Sequence, residues 1–227
     1  MSIRSIRSVV ARALSPIVWR VRGHSARKLL QFSRAERASE LDLRLAAALT
    51  SSDARRALYL AHALDESRHA VLFAMRANEL RKIDGHDAVP LPEADTESLF
   101  ERLGELRFLA FVHRGEQRGH NQFVAYRDHF GRRGDDKSRA MFNAILVDED
   151  RHRTYTRALL VDVAGSERAA RRALARAATW EAWRTWRRAG RFLAERAYGV
   201  AMAALFVLLA PLAWFVKLRR PAPRGWH

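Results

Sequence analysis

Hydrophobic residues between positions 27 and 165 recur at helical spacing, and no stretch alternates with the two-residue period of a strand. The pattern predicts four long helices separated by polar interruptions. Ser52 or Asp53 can cap the second helix, and Gly165 is a C-terminal stop for the fourth. The third helix is expected to begin at Glu97. The four helices are expected to end near Leu49, Lys82, Phe130 and Ala164.

The connections between these helices predict how they pair. Short polar segments at 50–53 and 131–136 join the first helix to the second and the third to the fourth, so each pair forms an antiparallel hairpin. The fourteen residues 83–96 reach about 46 Å at ~3.3 Å per residue, enough to cross a bundle lengthwise. The sequence therefore predicts an all-α fold: a four-helix bundle of two hairpins with a long crossover.

A run of nineteen uncharged residues, Tyr198–Val216, lies near the C-terminus. As a helix it covers about 28 Å, close to the hydrocarbon thickness of a bilayer. Trp214 near its end and the four basic residues that follow are typical of an interfacial boundary. The run predicts a transmembrane or membrane-inserted helix at 198–217, followed by a basic tail at 218–227. Pro211 leaves open a kinked span or a shallow hairpin.

The charge of the 227-residue chain is concentrated at its two ends. Lys and Arg number 41 against 25 Asp and Glu, a net charge of +16. Residues 1–35 hold eight basic and no acidic residues, and residues 168–227 hold thirteen basic and two acidic ones. The body between them has 20 basic and 23 acidic residues. This near-neutral body argues against a nucleic-acid partner, whereas the basic ends suit phosphates of lipid or RNA.

Both ends also have a recognisable composition. Residues 1–35 predict a basic amphipathic N-terminal extension, which also resembles a mitochondrial transit peptide. Residues 166–197 predict a basic helix with Trp180, Trp183 and Trp186 on one sector, suited to lying on anionic lipid or to packing on the bundle. The absence of cysteine excludes disulfides, Cys-ligated metal centres and a thiol nucleophile.

A six-residue motif occurs twice, 83 residues apart. Asp65-Glu66-x-Arg68-His69 lies in the second predicted helix, and Asp148-Glu149-x-Arg151-His152 lies in the fourth. Positions i and i+3 share a helix face, so each Glu and His can bind one metal ion together. A di-metal carboxylate site then needs one further Glu from each partner helix.

The height of each residue above the hairpin loop selects these partners. Glu116 and Glu36 lie 15 and 14 residues before their loops, against 13 residues after the loop for each motif glutamate. Glu40, the competitor, lies about 6 Å nearer its loop. Solvated helix faces are the alternative, but apolar neighbours make unpaired carboxylates costly there. The predicted metal ligands are Glu36, Glu66, His69, Glu116, Glu149 and His152.

Other polar residues lie close to these positions along the helices. His62, His120 and Glu40 are further candidates for contact with the metal. A structural role is the alternative for each histidine. Tyr59, Tyr126 and Tyr155 are expected to be packing residues whose hydroxyls find partners.

The order Glu, E-x-x-H, Glu, E-x-x-H over about residues 30–163 resembles the ferritin-like di-iron superfamily, which includes rubrerythrins, bacterioferritins and demethoxyubiquinone hydroxylases. The wording Gly115-Glu116 is similar too. The resemblance implies a ferritin-like bundle at 36–165 in which Glu66 and Glu149 bridge two irons. It also implies that Asp65 and Asp148 orient the ligand histidines across the bundle; simple surface acids are the alternative. In this reading each iron is completed by one pair, Glu36 with His69 or Glu116 with His152.

The chain departs from the family in two respects. It has no cysteine for a rubredoxin-type centre, so electrons must come from a separate reductase or a quinol. Its apolar run and basic flanks fit poorly with a closed storage cage.

These features lead us to expect an enzyme, a membrane-attached di-iron oxidoreductase that oxidises or hydroxylates a lipid-soluble substrate with O₂. The alternatives are a rubrerythrin-like peroxidase, a ferroxidase, or an iron-binding membrane protein without an organic substrate. The expected cofactor is two iron ions, with manganese as the alternative. Expected partners are membrane lipid, an electron donor and a second copy in a homodimer. The bundle is expected on the cytoplasmic side. An organic substrate predicts an apolar channel to the metals, a peroxidase or ferroxidase a small polar entrance, and a scaffold no opening.

Overall fold

The structure is a computed structural model that describes residues 23–218, apart from the side chains of Arg188 and residues 212–218. Within this range the chain is all-α, with six helices and no strand. Most of the predicted N-terminal extension and nearly all of the basic tail lie outside the described residues. The helices are α1 (His24–Leu49), α2 (Asp53–Ile83), α3 (Leu99–Leu103), α4 (Glu105–Arg132), α5 (Asp136–Ala164) and α6 (Glu167–Leu218).

The two predicted helix pairs are present, because α1 packs along α2 and α4 packs along α5. Each connection is short, so the partners run antiparallel. The Ser52 side chain caps α2 by accepting a hydrogen bond from the Arg55 backbone N–H at 3.4 Å. Asp135 caps α5 by accepting from the Ser138 backbone N–H at 2.9 Å. Gly165 ends α5 in the left-handed conformation, with φ of 73°, as the sequence predicts.

The third predicted helix is interrupted at Gly104, which differs from the continuous helix expected from Glu97 onward. Gly104 has φ of 72° and ψ of 161°, a conformation that is almost restricted to glycine. No other atom comes within 4 Å of a Cβ built at this position, so the backbone conformation rather than space requires glycine. The interruption separates the short α3 from α4 and lets Phe100 turn back onto Phe108, with ring centroids 5.5 Å apart.

Aromatic layers lie on both sides of the motif residues along the helices. On one side, Phe32 contacts Phe73 and Phe123 at centroid distances of 5.4 and 5.2 Å, within the main hydrophobic core. On the other side, Tyr59 lies 6.0 Å from Phe108. The motif residues between these layers are consequently shielded from water.

The chain divides into two compact units, one ending at Ala177 and the other beginning at Ala178. The basic and apolar segments predicted as separate helices both belong to α6, and Pro211 lies inside it. Among the described residues, one helix is long and apolar enough to cross a membrane by length and composition, over Glu167–Pro211. Apolar side chains in its C-terminal part are exposed, including Phe206 and Leu208 at 69% and 76%.

Candidate metal centre

The four long helices bring all six predicted ligands together in the interior. They fall into two groups of four residues, and within each group one ligand atom per residue lies within 4.8 Å of the others. Every member is buried. Glu66 belongs to both groups. The first group is His62, Glu66, Glu116 and His152, and the second is Glu36, Glu66, His69 and Glu149.

Two buried imidazole nitrogens point at these carboxylates without a hydrogen-bond partner among the described residues, namely Nδ1 of His69 and Nδ1 of His152. His69 Nδ1 lies 3.9 Å from Glu36 Oε2, and His152 Nδ1 lies 3.6 Å from Glu116 Oε2. These separations are too long for hydrogen bonds. They suit two ligand atoms that each lie about 2.1 Å from one shared metal ion.

The opposite nitrogen of each histidine faces an aspartate from the other motif. His69 Nε2 lies 3.1 Å from Asp148 Oδ2, and His152 Nε2 lies 3.1 Å from Asp65 Oδ2. Because a carboxylate only accepts, each Nε2 carries the proton. In a neutral ring the Nδ1 lone pair is then free to bind a metal ion. The aspartates thus occupy the positions that the resemblance implies.

Arginines hold these aspartates in place. Arg68 contacts both Asp65 and Asp148, and Arg151 contacts the same two carboxylates. Burial alone would raise the pKa of Asp65, but the bonds from His152 and Arg151 outweigh it and hold that pKa below its usual range. The arginines are not among the sequence-predicted site residues, although their recurrence in both motifs was an available signal.

The buried carboxylates are electrostatically uncompensated by the protein alone. Burial, followed by neighbouring carboxylates, raises the pKa of Glu36 well above its usual range and that of Glu149 to about 10. Burial also raises the pKa of Glu66. On Glu116 burial acts in the same direction, but the imidazoles of His62 and His152 outweigh it and lower the pKa. Divalent cations are the ligands that such a donor set fits, because they neutralise several buried carboxylates at once.

His62 joins the site as a seventh member. Its side chain is fully buried, and its Nε2 lies 2.8 Å from Glu66 Oε1 and 3.5 Å from Glu116 Oε1. Its Nδ1 contacts the hydroxyl of Tyr155. Burial lowers the pKa of His62 to about 4, so the ring is neutral and keeps one nitrogen lone pair. Tyr155, assigned to packing from the sequence, is therefore connected to the site through His62.

Glu40 and His120 lie outside both groups. Glu40 is buried on α1, where Arg37 and Arg44 pair with its carboxylate, the latter at 2.9 Å. His120 Nε2 lies 3.3 Å from Asp150 Oδ1 near the surface. The structure thus directs Glu36, rather than Glu40, toward the carboxylate cluster.

A cavity of about 280 Å³ opens between α1 and α4 and reaches the cluster. Gly119 keeps space beside it, because a Cβ at this position would lie 3.2 Å from Glu149 Oε2. The four glutamates form its inner end. Polar residues Ser39, Asp42 and Gln122 also line it. Its apolar walls are formed by Phe32, Leu43, Phe108, Phe111, Val112 and Phe123.

Comparison of the chain with protein-family models, with curated proteins and with solved structures gives no match in any of the three. The chemical interpretation therefore depends on the geometry of the site.

Proposed function

We propose that the chain is a ferritin-like di-iron carboxylate protein, attached to a membrane, that uses O₂ to oxidise or hydroxylate a lipid-soluble substrate. The observation that carries the proposal is the buried cluster of four carboxylates whose neighbouring imidazole nitrogens have no other partner among the described residues. Such oxygen-dominated sites with some imidazole suit iron, and manganese as the alternative, more than copper. Bound ferrous ions would supply the capacity to react with O₂ or peroxide.

The residues divide the work of holding two ions. Glu66 belongs to both groups, which supports its role as a bridging ligand. Glu36 with His69, and Glu116 with His152, complete the two positions in this proposal. Asp148 and Asp65 hold the histidines with Nδ1 directed inward, which lowers the cost of ordering the rings when a metal ion binds.

The cavity supports an organic substrate. A scaffold protein needs no opening at its metal site, and small oxidants need only a narrow polar one. Here phenylalanines line a space of about 280 Å³ that ends at the carboxylates. Apolar walls bind an apolar substrate and exclude water from the reacting groups.

Fe(II) oxidation without an organic substrate is the second candidate function. Asp42 and Glu97 line the same cavity, and acidic groups near an entrance attract cations. In that case the substrate is the ferrous ion itself and the cavity is its route to the cluster.

Membrane attachment in this proposal uses the apolar part of α6, which is long enough to span a bilayer. Residues 184–197 hold five arginines, against four basic residues in 217–224, which favours the bundle side as cytoplasmic. A bilayer would place lipid-soluble substrates close to the protein. Electrons would come from a separate reductase or a quinol, because the chain has no cysteine for a rubredoxin-type centre.

The test is to load the full-length protein with Fe(II) anaerobically and then to admit O₂, with and without extracted membrane lipids. We expect faster O₂ consumption with lipids and a lipid product that contains oxygen from ¹⁸O₂. Glu66→Ala should abolish both, whereas Glu40→Ala, a buried acid outside both groups, should retain them. Equal O₂ consumption with and without lipids, and no labelled product, would contradict the organic-substrate function and favour Fe(II) oxidation.

A further inference from the structure

The two motifs surround the cluster with matching contacts. Residues 83 positions apart make equivalent interactions: His69 bonds to Asp148 as His152 bonds to Asp65, each at 3.1 Å. The arginine of each motif contacts the aspartate of the other motif. The two halves of the site are therefore related by an approximate two-fold symmetry in both sequence and contacts.

This symmetry fails for one pair of neighbouring positions. The counterpart of His62 in the repeat is Ile145, and the counterpart of Tyr155 is Leu72. Ile145 is 1% exposed in the hydrophobic core, and Leu72 packs against the same core. One end of the site thus carries an imidazole in contact with a phenol, whereas the equivalent end carries two aliphatic side chains.

The His62 ring is positioned as a ligand of one half only. Its Nε2 is a ligand atom of the group that contains Glu66, Glu116 and His152. Its ring centroid lies 3.7 Å from that of His152, so the two imidazoles approach the same point. The other group offers a single imidazole, that of His69, with three carboxylates.

We propose that His62 is a third imidazole ligand, so that the two metal positions are chemically unequal, one with two nitrogen and two carboxylate ligands and the other with one nitrogen and three carboxylates. This inference assumes the metal centre of the proposed function. Tyr155 is a positioning residue in this arrangement. Its hydroxyl oxygen accepts the Nδ1 proton of His62 and thereby keeps Nε2 directed at the metal.

Unequal ligands give the two positions different metal preferences. Imidazole favours later divalent metals such as Co(II) and Zn(II), whereas oxygen-rich sites suit Mn(II) better. The first equivalent of Co(II) should therefore occupy the position with His62, and the second should bind more weakly. Mn(II) added after one equivalent of Co(II) should fill the remaining position and give a mixed-metal protein.

The test is anaerobic calorimetric titration of the full-length protein with Co(II), together with the visible spectrum of the bound ion. We expect two steps for the unmodified protein, the tighter one with the spectrum of a nitrogen-richer site. His62→Ile, which installs the residue of the symmetric position, should weaken the tighter step at least 10-fold and change its spectrum, because it removes a ligand. Tyr155→Phe should weaken the same step less.

His113→Gln is the matched control, because His113 is also buried but bonds to Thr156 at 2.9 Å, outside both groups. It should retain both steps. His62→Gln keeps a polar side chain of similar size and should show the loss seen with His62→Ile, which separates ligation from folding. Two unchanged steps in both His62 variants would overturn the inference while leaving the metal centre intact. Failure of the unmodified protein to bind Co(II) would overturn the metal centre and the inference together.

Discussion

Glu36 and Glu40 lie one turn apart on α1, and their partners distinguish them. Glu36 faces His69 Nδ1 at 3.9 Å, whereas Glu40 is neutralised by Arg37 and Arg44. Glu36→Ala should therefore remove at least one of two bound irons, because a buried cationic site loses a compensating charge. Glu40→Ala should keep both. Elemental analysis of reconstituted protein checks this, and the reverse pattern would mean that α1 is shifted by one turn.

Gly119 provides the space that the Glu149 carboxylate occupies. A Cβ at this position would lie 3.2 Å from Glu149 Oε2, so Gly119→Ala should displace the carboxylate and weaken metal binding about 10-fold, the effect of a disturbed ligand environment. Its backbone is ordinary helix, so alanine itself is tolerated and adds about 1 kcal/mol of helix stability. Titration with Mn(II) and thermal unfolding of the metal-free protein measure the two effects separately.

Gly115, one turn earlier on α4, is the matched control for this substitution. A Cβ there meets only the flexible Arg118 guanidinium at 4.0 Å. Gly115→Ala should give the same gain in helix stability and leave metal affinity unchanged. Equal loss of metal affinity in both variants would attribute the effect to α4 as a whole rather than to contact with Glu149.

Motif spacing predicted which residues meet at the site, but not all of their partners. The i,i+3 rule and matched heights select the six glutamates and histidines that the structure brings together. Tyr155 was assigned to packing, because periodicity gives the face of a residue and not its contact on a helix 93 positions away. Whether His62 joins a site or remains structural likewise depends on packing between helices.

At the scale of single helices, caps and loops were predictable and one interruption was not. The ends of α1, α2 and α5 agree with the sequence signals at Ser52 and Gly165. Gly104 gave no such signal, because one glycine within an apolar periodic stretch is compatible with a helix. Its extended positive-φ conformation follows from the tertiary packing of Phe100 and Leu99, which the periodicity does not encode.

Asp135 links the cap of α5 to α2. Its carboxylate accepts from the Ser138 backbone N–H at 2.9 Å and from Arg76 Nη2 at 2.6 Å. Asp135→Ala should lower the free energy of unfolding by about 2 kcal/mol, the upper end for loss of a cap. Asp136→Ala, which removes the adjacent exposed acid, should change it much less. Urea denaturation at neutral pH checks both, and equal effects would contradict the capping role.

The same group gives a pH dependence with a definite sign. Burial would raise the pKa of Asp135, but the bonds from Arg76 and Ser138 outweigh it and hold the pKa below its usual range. A lowered folded-state pKa stabilises the protein above the unfolded value, near 4, and this contribution is lost as the pH falls. The unmodified protein should therefore lose more stability than Asp135→Ala between pH 5 and about pH 3.

At the scale of the whole molecule, charge and hydropathy predicted more than could be derived about assembly. The near-neutral body and the apolar run are properties of the sequence, and the apolar run belongs to α6 in the structure. Interfaces with a second copy or an electron donor depend on surface shape, which no periodicity contains. The predicted homodimer and reductase therefore stay predictions.

Removal of residues 198–227 should release the protein from membranes without changing its metal content. Every proposed ligand lies before residue 153, within the unit that ends at Ala177, and the removed segment holds the apolar part of α6. The test compares membrane and soluble fractions after a high-salt wash, with iron measured in each. A variant with an unrelated Leu/Ala run of equal length at 198–216 is the control and should return to the membrane, because insertion depends on length and hydropathy. Truncated protein that still sediments with membranes would show that the apolar run is not the anchor.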